Sequence, residues 1–150
     1  MRIKPTFRIL FLVLGFSFAH QKLAAQDLYK YVLLSSDNQP NGTGITLIGS
    51  SITINGVSST GFKGTVGAYK MVQTTGNATI KAHIHSGDKV SITNSNVIQG
   101  NIAAGNSSGS TGTVVSIGSS VSLTGNIDSK GNIVVGGGTV NGTVNVLGPE

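Results

Sequence analysis

Pairs of hydrophobic residues separated by one residue recur along the chain after residue 44. Because successive side chains of a strand point to opposite faces, a two-residue period predicts strands with one buried face. Gly, Asn or Ser follows each pair within a few residues, so each predicted strand is short. The pairs are Ile45/Leu47, Ile52/Ile54, Ile80/Ala82/Ile84, Val90/Ile92, Val115/Ile117, Val121/Leu123, Ile133/Val135 and Val144/Val146.

The tripeptide Gly-[Asn/Thr]-apolar also recurs, starting at Gly64, Gly76, Gly100, Gly112, Gly125, Gly131 and Gly142. Most of the intervals between these glycines lie near twelve or a multiple of twelve. Many short strands at a near-regular period are typical of a β-solenoid. We therefore predict an all-β, single-stranded parallel β-helix with short coils. The alternative is a β-sandwich, in which Asn55-Gly56 and Asn141-Gly142 form type I′ hairpin turns.

The solenoid interpretation assigns a place to each residue type. Val and Ile form ladders inside, Ser and Thr cover the outside, and Asn side chains bond to neighbouring coils at the turns. Gly supplies positive φ at the corners. The segment DKVSITNSNVIQGNIAAG, residues 88–105, then forms most of one coil of about 20 residues. Its predicted strands are residues 90–93, 97–99 and 101–103, with corners at residues 94–96 and at Gly100.

Residues 1–25 have the pattern of a secretory signal peptide. Three basic residues precede ILFLVLGFSF, an apolar run too short to span a bilayer, which takes ~20 residues. Cleavage is predicted after Ala25, with Ala19 as the alternative site. Residues 26–44 are predicted to be a cap or a leading strand. Residues 45–150 are predicted to be the solenoid, which we expect to continue beyond Glu150. No other apolar stretch approaches membrane-spanning length.

Removal of residues 1–25 changes the charge balance. Four of the ten Lys and Arg residues lie in that segment, which leaves six lysines against five acids and a net charge of +1. Nucleic-acid binding requires clustered Lys and Arg, so this class of partner is excluded. The chain has no cysteine, so disulfides contribute nothing to its stability.

The segments GSSITING, ATIKAHIHSGDKVSITNSNVIQGNI and SVSLTGNIDSKGNIVVGGGTVNGTV make up much of residues 49–146. This region resembles the right-handed parallel β-helix near the N-terminus of large secreted bacterial cell-surface proteins. Its sequence pattern and composition are also similar to those of bactofilin-type polymers and pectin-lyase-like solenoids. The resemblance implies a solenoid fold and a location outside the cell, and it implies no site residues. Bactofilins usually lack a cleavable signal, and the chain departs from them in this respect.

Few residues suggest chemistry. Asp88 and Asp128 are the only acids inside the repeat region before Glu150, and a glycosidase requires two carboxylates ~5–10 Å apart. No further acid or Arg supports this pair, so no catalytic residue is predicted. His83 and His85 alternate with Ile84, and the imidazoles are predicted to share an outward stripe with Lys81. With Asp88 they are weak candidate metal ligands. No cofactor is predicted.

Thr111-Gly-Thr113 is the one Thr-x-Thr pair in the sequence, so no regular Thr array is predicted. We expect a non-catalytic structural or adhesive module that is secreted or displayed at the cell surface. The alternatives are a polysaccharide-binding or polysaccharide-degrading β-helix and a self-assembling, bactofilin-like polymer. The expected partners are glycans, other surface proteins or further copies of the chain joined end to end. No nucleic acid is expected as a partner, and no membrane span is expected in the mature chain.

Overall fold

The alternating residues form short strands that follow one another in successive coils. The structure, a computed structural model, describes residues 31–35, 44–58, 61, 63–107, 109 and 111–148. The predicted signal peptide lies outside these residues. In the described part of the chain, five coils contribute three strands each and a further strand begins a sixth turn.

The strand bounds follow the chain coil by coil. Coil 1 contains β1 (Tyr31–Ser35), β2 (Ile45–Leu47) and β3 (Ile52–Asn55), and coil 2 contains β4 (Thr65–Ala68), β5 (Met71–Thr74) and β6 (Ala78–Lys81). Coil 3 contains β7 (His83–Ser86), β8 (Lys89–Ile92) and β9 (Val97–Gln99), and coil 4 contains β10 (Ile102–Ala104), β11 (Thr113–Ile117) and β12 (Ser122–Thr124). Coil 5 contains β13 (Ile127–Ser129), β14 (Asn132–Val135) and β15 (Thr139–Asn141), and β16 (Val144–Val146) follows.

Strands from successive coils pair in parallel to form three sheets. Sheet A has the order β1-β4-β7-β10-β13-β16, sheet B the order β14-β11-β8-β5-β2, and sheet C the order β15-β12-β9-β6-β3. This arrangement confirms the predicted parallel β-solenoid. The sandwich alternative is wrong: neither Asn55-Gly56 nor Asn141-Gly142 joins an antiparallel pair of the described strands. The type I′ turn requires φ > 0 at both central residues, and neither asparagine has it.

The coils differ in length, and their lengths lie on both sides of the predicted value of about 20 residues. Ile84 pairs with Ile102 and Val72 with Val90, in both cases at an offset of eighteen, whereas Ile102 pairs with Ile127 across a longer coil. Each coil of eighteen residues contributes one strand to each of the three sheets, so one face corresponds to about a third of the coil. An interval of twelve residues therefore spans two faces. The Gly-[Asn/Thr]-apolar tripeptide therefore marks the corners, and the interval of twelve is not the coil length.

The interior consists of apolar ladders that run along the stack. Each ladder places one residue per coil at the same position, so the rungs are ~4.8 Å apart. Full burial of one such Val or Ile side chain contributes about 1.5–3 kcal/mol to folding. Four of these ladders consist mainly of Val, Ile and Leu: Val66–Ile84–Ile102–Ile127–Val144, Ile45–Val72–Val90–Val115–Ile133, Leu47–Thr74–Ile92–Ile117–Val135 and Ile54–Ile80–Ile98–Leu123–Val140. A fifth ladder has smaller residues, Ala68–Ser86–Ala104–Ser129–Val146.

Some polar side chains lie inside, contrary to the expectation that Ser and Thr cover the outside. Thr74, Ser86 and Ser129 are fully buried. The serines are satisfied by the backbone: the Ser86 hydroxyl donates to the carbonyl of Lys70 at 2.7 Å, and the Ser129 hydroxyl to that of Gly131 at 2.9 Å. Because these bonds satisfy the hydroxyls locally, a small polar residue can occupy an inner ladder position near a corner.

The corner glycines are required mainly by the close approach of successive coils. A Cβ at Gly76 would overlap the carbonyl of Gly49 in the coil before, and a Cβ at Gly100 would overlap that of Ala82. Neither Gly76 nor Gly100 has a positive φ. The prediction that corner glycines supply positive φ is therefore wrong at these positions, where the missing side chain is what matters.

The apolar ladders become exposed at β14 to β16. Val144 and Val146 occupy inner positions but are 45% and 60% exposed, because no described strand pairs with their outer edge. At the other end, part of the segment predicted as a cap or leading strand forms β1, which pairs with β4 at the edge of sheet A. Within the described residues, the structure has no helix of the length and hydrophobicity needed to cross a membrane.

Candidate functional site

The two histidines of the HxH segment lie on β7, in sheet A. Ile84 between them is fully buried, and Ala82 is too, as the alternation predicted. The predicted stripe of Lys81, His83 and His85 is nevertheless divided. Lys81 ends β6 in sheet C, since the chain turns a corner at Ala82 and continues on the next face.

The candidate metal ligands occupy different environments. His83 is half-buried and His85 exposed, whereas Asp88 lies in the short corner before β8 and is only 9% exposed. Among the described residues, no group of three or more His, Cys, Asp or Glu side chains is placed to hold a metal ion. A structural zinc site typically has four protein ligands, so the two imidazoles on one strand make an incomplete set.

His83 instead belongs to a row of hydrogen-bond acceptors at the corner before sheet A. The amide of Asn101 donates to Nδ1 of His83 at 3.0 Å, from one coil to the next. The amide of Asn126 donates to Oδ1 of Asn101 at 3.1 Å, and that of Thr143 to Oδ1 of Asn126 at 3.0 Å. We call the three accepting residues, His83, Asn101 and Asn126, the axial acceptor ladder. It couples each coil from the third onward to the next and assigns His83 the role that Asn has elsewhere.

Asn96 makes a second inter-coil connection, inside the corner before sheet C. Its side chain is fully buried. Its Oδ1 accepts from the amide of Ala78 at 2.9 Å, and its Nδ2 donates to the carbonyls of Gly76, at 2.9 Å, and of Thr93. The prediction that Asn amides bond to adjacent coils at the turns is thereby confirmed. These bonds satisfy backbone groups that the corner removes from the sheets.

The two acids of the repeat region lie in different coils. Asp128 lies on β13, where its Oδ1 accepts a hydrogen bond from Asn145 at 2.8 Å. Asp88 is buried at a corner two coils earlier. Neither residue lines either of the two cavities described below.

A cavity of about 350 Å³ opens on the outer side of sheet A. The register places Gly67 between Leu34 and His85 in one row, and the missing side chain leaves a notch. Tyr69 forms part of its wall, and the Lys70 ammonium lies 5.9 Å from the centroid of that ring. The notch also borders Ser35. Residues 36–43, which follow Ser35 in the chain, are not among the described residues.

The outer face of sheet C is polar and carries almost no charge. Two rows of outward side chains run along the stack, and Lys81 is their one charged member in the described residues. The first row is Thr53–Thr79–Val97–Ser122–Thr139. The second consists of two parts, Asn55–Lys81 and Gln99–Thr124–Asn141. The pairing of coils thus places four hydroxyl groups and Val97 in the first row. No Thr-x-Thr pair in the sequence predicts this row, because its members come from different coils.

A groove of about 280 Å³ follows this face across coils 1 to 3. One wall of the groove is formed by the corners that precede the strands of sheet C, and the other by the outward row that contains Thr53, Thr79 and Val97. We call it the hydroxyl groove; its polar lining residues are Ser50, Ser51, Thr53, Asn77, Thr79 and Ser95, and its apolar ones are Ile52, Ala78 and Val97.

Sequence reasoning missed this groove because its parts are far apart in the chain. Thr53 and Thr79 are register partners in adjacent coils, and coils 1 and 2 are joined by a longer connection than coils 2 and 3. Knowledge of the register would have been needed to place them together. The available signal was the abundance of Ser and Thr at outward positions.

No family model, curated protein or solved structure matches the chain.

Proposed function

We propose that the chain is an exported, non-catalytic β-solenoid module that serves a structural or adhesive role in a cell-surface or extracellular protein. The observation that supports this most directly is the continuous parallel pairing of strands in three sheets along the stack. Each coil adds ~4.8 Å along the axis, so the fold extends by repetition. The outer side of each sheet faces the surroundings, which suits a spacer or a contact surface.

The chemistry of the outer rows fits the same role. The outward side chains of sheet C are hydroxyls, amides, one valine and one lysine. Such a surface forms many weak, neutral hydrogen bonds with a partner, each with a modest net contribution. An adhesive module that binds by repetition needs this kind of surface more than a single deep pocket.

Export is tested by expressing the full chain in a bacterial host and locating it by fractionation. We expect the protein in the periplasm or the medium, with a new N-terminus at Gln26 or, for the alternative cleavage site, at His20. Replacing the apolar run with polar residues is the control and should retain the protein in the cytoplasm. An unprocessed, cytoplasmic wild-type protein would contradict the proposal.

The non-catalytic character is tested separately. The purified protein is incubated with neutral and acidic polysaccharides, and new reducing ends and the absorbance of unsaturated products are measured. We expect neither signal to rise above that of heat-denatured protein. Reproducible product formation that is lost in Asp88→Asn or Asp128→Asn would replace our proposal with the enzyme alternative.

Self-assembly through the stack is a second candidate, favoured by the exposed inner positions of β16. Val144 and Val146 present apolar side chains beside an unpaired edge of the described strands, and such edges pair with further strands. Another copy of the chain is the proposed occupant. Sedimentation velocity should then show growth with concentration that Val144→Asn with Val146→Asn suppresses. The control is Val97→Asn, which alters a residue of similar exposure on the outer face of sheet C. A monomer at all concentrations would rule out this candidate.

A further inference from the structure

The hydroxyl groove offers only neutral hydrogen-bonding groups to a ligand. None of its lining residues is charged. Ser and Thr hydroxyls and the Asn amide both donate and accept hydrogen bonds. The groove therefore complements a ligand that carries donors and acceptors in equal measure along its length.

The side chains of Thr53, Asn77 and Thr79 make no hydrogen bond to any described part of the chain, unlike Ser51, whose hydroxyl donates to the carbonyl of Ser50 at 2.7 Å. This contrasts with Asn96 and Asn101, which are engaged in bonds between coils. Thr53 is exposed and Thr79 half-buried, so their hydroxyls are accessible from solvent. The groove thus has binding capacity that the fold itself does not use.

The spacing of the lining groups is repetitive. Thr53 and Thr79 are register partners on adjacent strands, and adjacent strands are ~4.8 Å apart. Val97, the next member of the row, is 40% exposed and offers an apolar contact beside the hydroxyls. One hexose unit of an extended sugar chain spans a length comparable to one strand spacing, so successive units would meet successive rungs.

We propose that the hydroxyl groove binds a neutral polysaccharide chain that lies along the solenoid axis. The proposal deepens the adhesive role and rests on it. The sugar hydroxyls would exchange hydrogen bonds with Thr53, Asn77 and Thr79, and a C–H face of a sugar ring would contact Val97. A polyanion is disfavoured because the groove supplies no cation. Addition of a peptide strand is disfavoured because the backbone below the groove is already paired on both sides at β6.

The test is an NMR titration of the ¹⁵N-labelled full chain with three probes: cellohexaose, maltohexaose and trigalacturonate. We expect one or both neutral hexasaccharides to shift the amide signals of residues 50–53, 77–79 and 95–97 in a saturable manner. Trigalacturonate should shift them at least tenfold more weakly. Saturable shifts confined to other faces, or no saturable shift with either neutral probe, would overturn the proposal.

A variant pair separates the groove from the rest of sheet C. Thr53→Val with Thr79→Val removes two hydroxyls while it preserves β-branching and strand propensity. Because each neutral hydrogen bond makes a modest net contribution to binding, the loss of two should raise the dissociation constant by about tenfold or more. The matched control, Thr124→Val, lies on the same face two coils beyond Thr79 and should leave binding unchanged. Equal weakening in both variants would assign binding to another part of the sheet.

Failure of this proposal and failure of the proposed function have different signatures. Export and processing are measured without any ligand. If the chain is exported and folded but shows no groove-specific shifts, the structural role remains supported and the proposed binding of a polysaccharide is refuted. Circular dichroism of each variant before titration checks that the strand content is retained.

Discussion

Replacement of the buried Asn96 by Ala should weaken one specific connection between coils. The side chain is fully buried at the corner between β8 and β9. It accepts from the amide of Ala78 and donates to the carbonyls of Gly76 and Thr93. Asn96→Ala removes all three hydrogen bonds and keeps the backbone unchanged.

The expected loss follows from the burial of those partners. Ala78 is 5% exposed, so its amide would be left without a partner in a dry site, at a cost of about 1–3 kcal/mol. The two carbonyls are less buried, and each lost bond to them costs about 0.5–1.5 kcal/mol. We expect Asn96→Ala to reduce the free energy of unfolding of coils 2 and 3 by about 3 kcal/mol.

Asn96→Asp sharpens the test. The carboxylate retains the acceptor for Ala78, but it loses both donors and introduces a charge into a fully buried site. Burial raises the pKa of such a carboxyl, so the folded state binds a proton that the unfolded state releases. The destabilisation relative to wild type should therefore be larger than that of Asn96→Ala at pH 7 and should diminish as the pH is lowered through the raised pKa.

Hydrogen exchange measured by NMR is the appropriate assay, because it reports the opening of each coil separately and a local loss of stability is seen at the amides that it affects. A loss of about 3 kcal/mol corresponds to exchange at the Ala78 amide that is roughly 100-fold faster. Gln99→Ala, an exposed position on the neighbouring strand, is the control and should change stability by less than about 0.5 kcal/mol. If Asn96→Ala behaved like Gln99→Ala, the reasoning about buried corner asparagines would be refuted.

Two further predictions concern the corners. His83→Ala removes the acceptor for the amide of Asn101 and should speed exchange of that amide by about tenfold, whereas His83→Asn supplies an equivalent Oδ1 and should restore protection; equal exchange in both variants would show that the acceptor is unimportant. Gly76→Ala places a Cβ against the carbonyl of Gly49 and should lower the thermal midpoint by about 10 °C or more, or prevent folding, since the overlap is with backbone. Gly136→Ala, whose added Cβ would lie 3.6 Å from its nearest neighbour, should be tolerated, and similar losses in the two glycine variants would contradict the steric argument.

The fold class could be predicted because the strands with apolar pairs follow the alternation closely. Val90 and Ile92 are the buried residues of β8, whereas in β11 Val114 is buried as well as Val115 and Ile117. The alternation failed where inner positions are small or polar. In β4 and β5, the inner residues include Ala68 and Thr74, which no hydrophobic pattern reveals.

The candidate site could be predicted only in part. The outward placement of His83 and His85 follows from strand periodicity, but the corner at Ala82 that separates them from Lys81 does not. The pairing of Thr53 with Thr79 depends on how many residues join one coil to the next, and this number varies along the chain. The local hydrophobic pattern does not reveal how many residues join one coil to the next. The hydroxyl groove could therefore be found only from the register in the three-dimensional structure.

The corner between sheets A and B shows how the architecture accommodates new sequence. Two residues connect β4 to β5, β7 to β8 and β13 to β14, whereas the longer segment 105–112 connects β10 to β11. Before this longer connection Ala104 pairs with Ser129. After it the register shifts between Thr113 and Val115, and from Val115, which pairs with Val90, the ladder continues. The corner therefore acts as a permissive insertion point. Foreign peptides grafted there should be displayed without disturbing the stack, and natural variants of the chain can diverge in length at this point while the ladders stay intact.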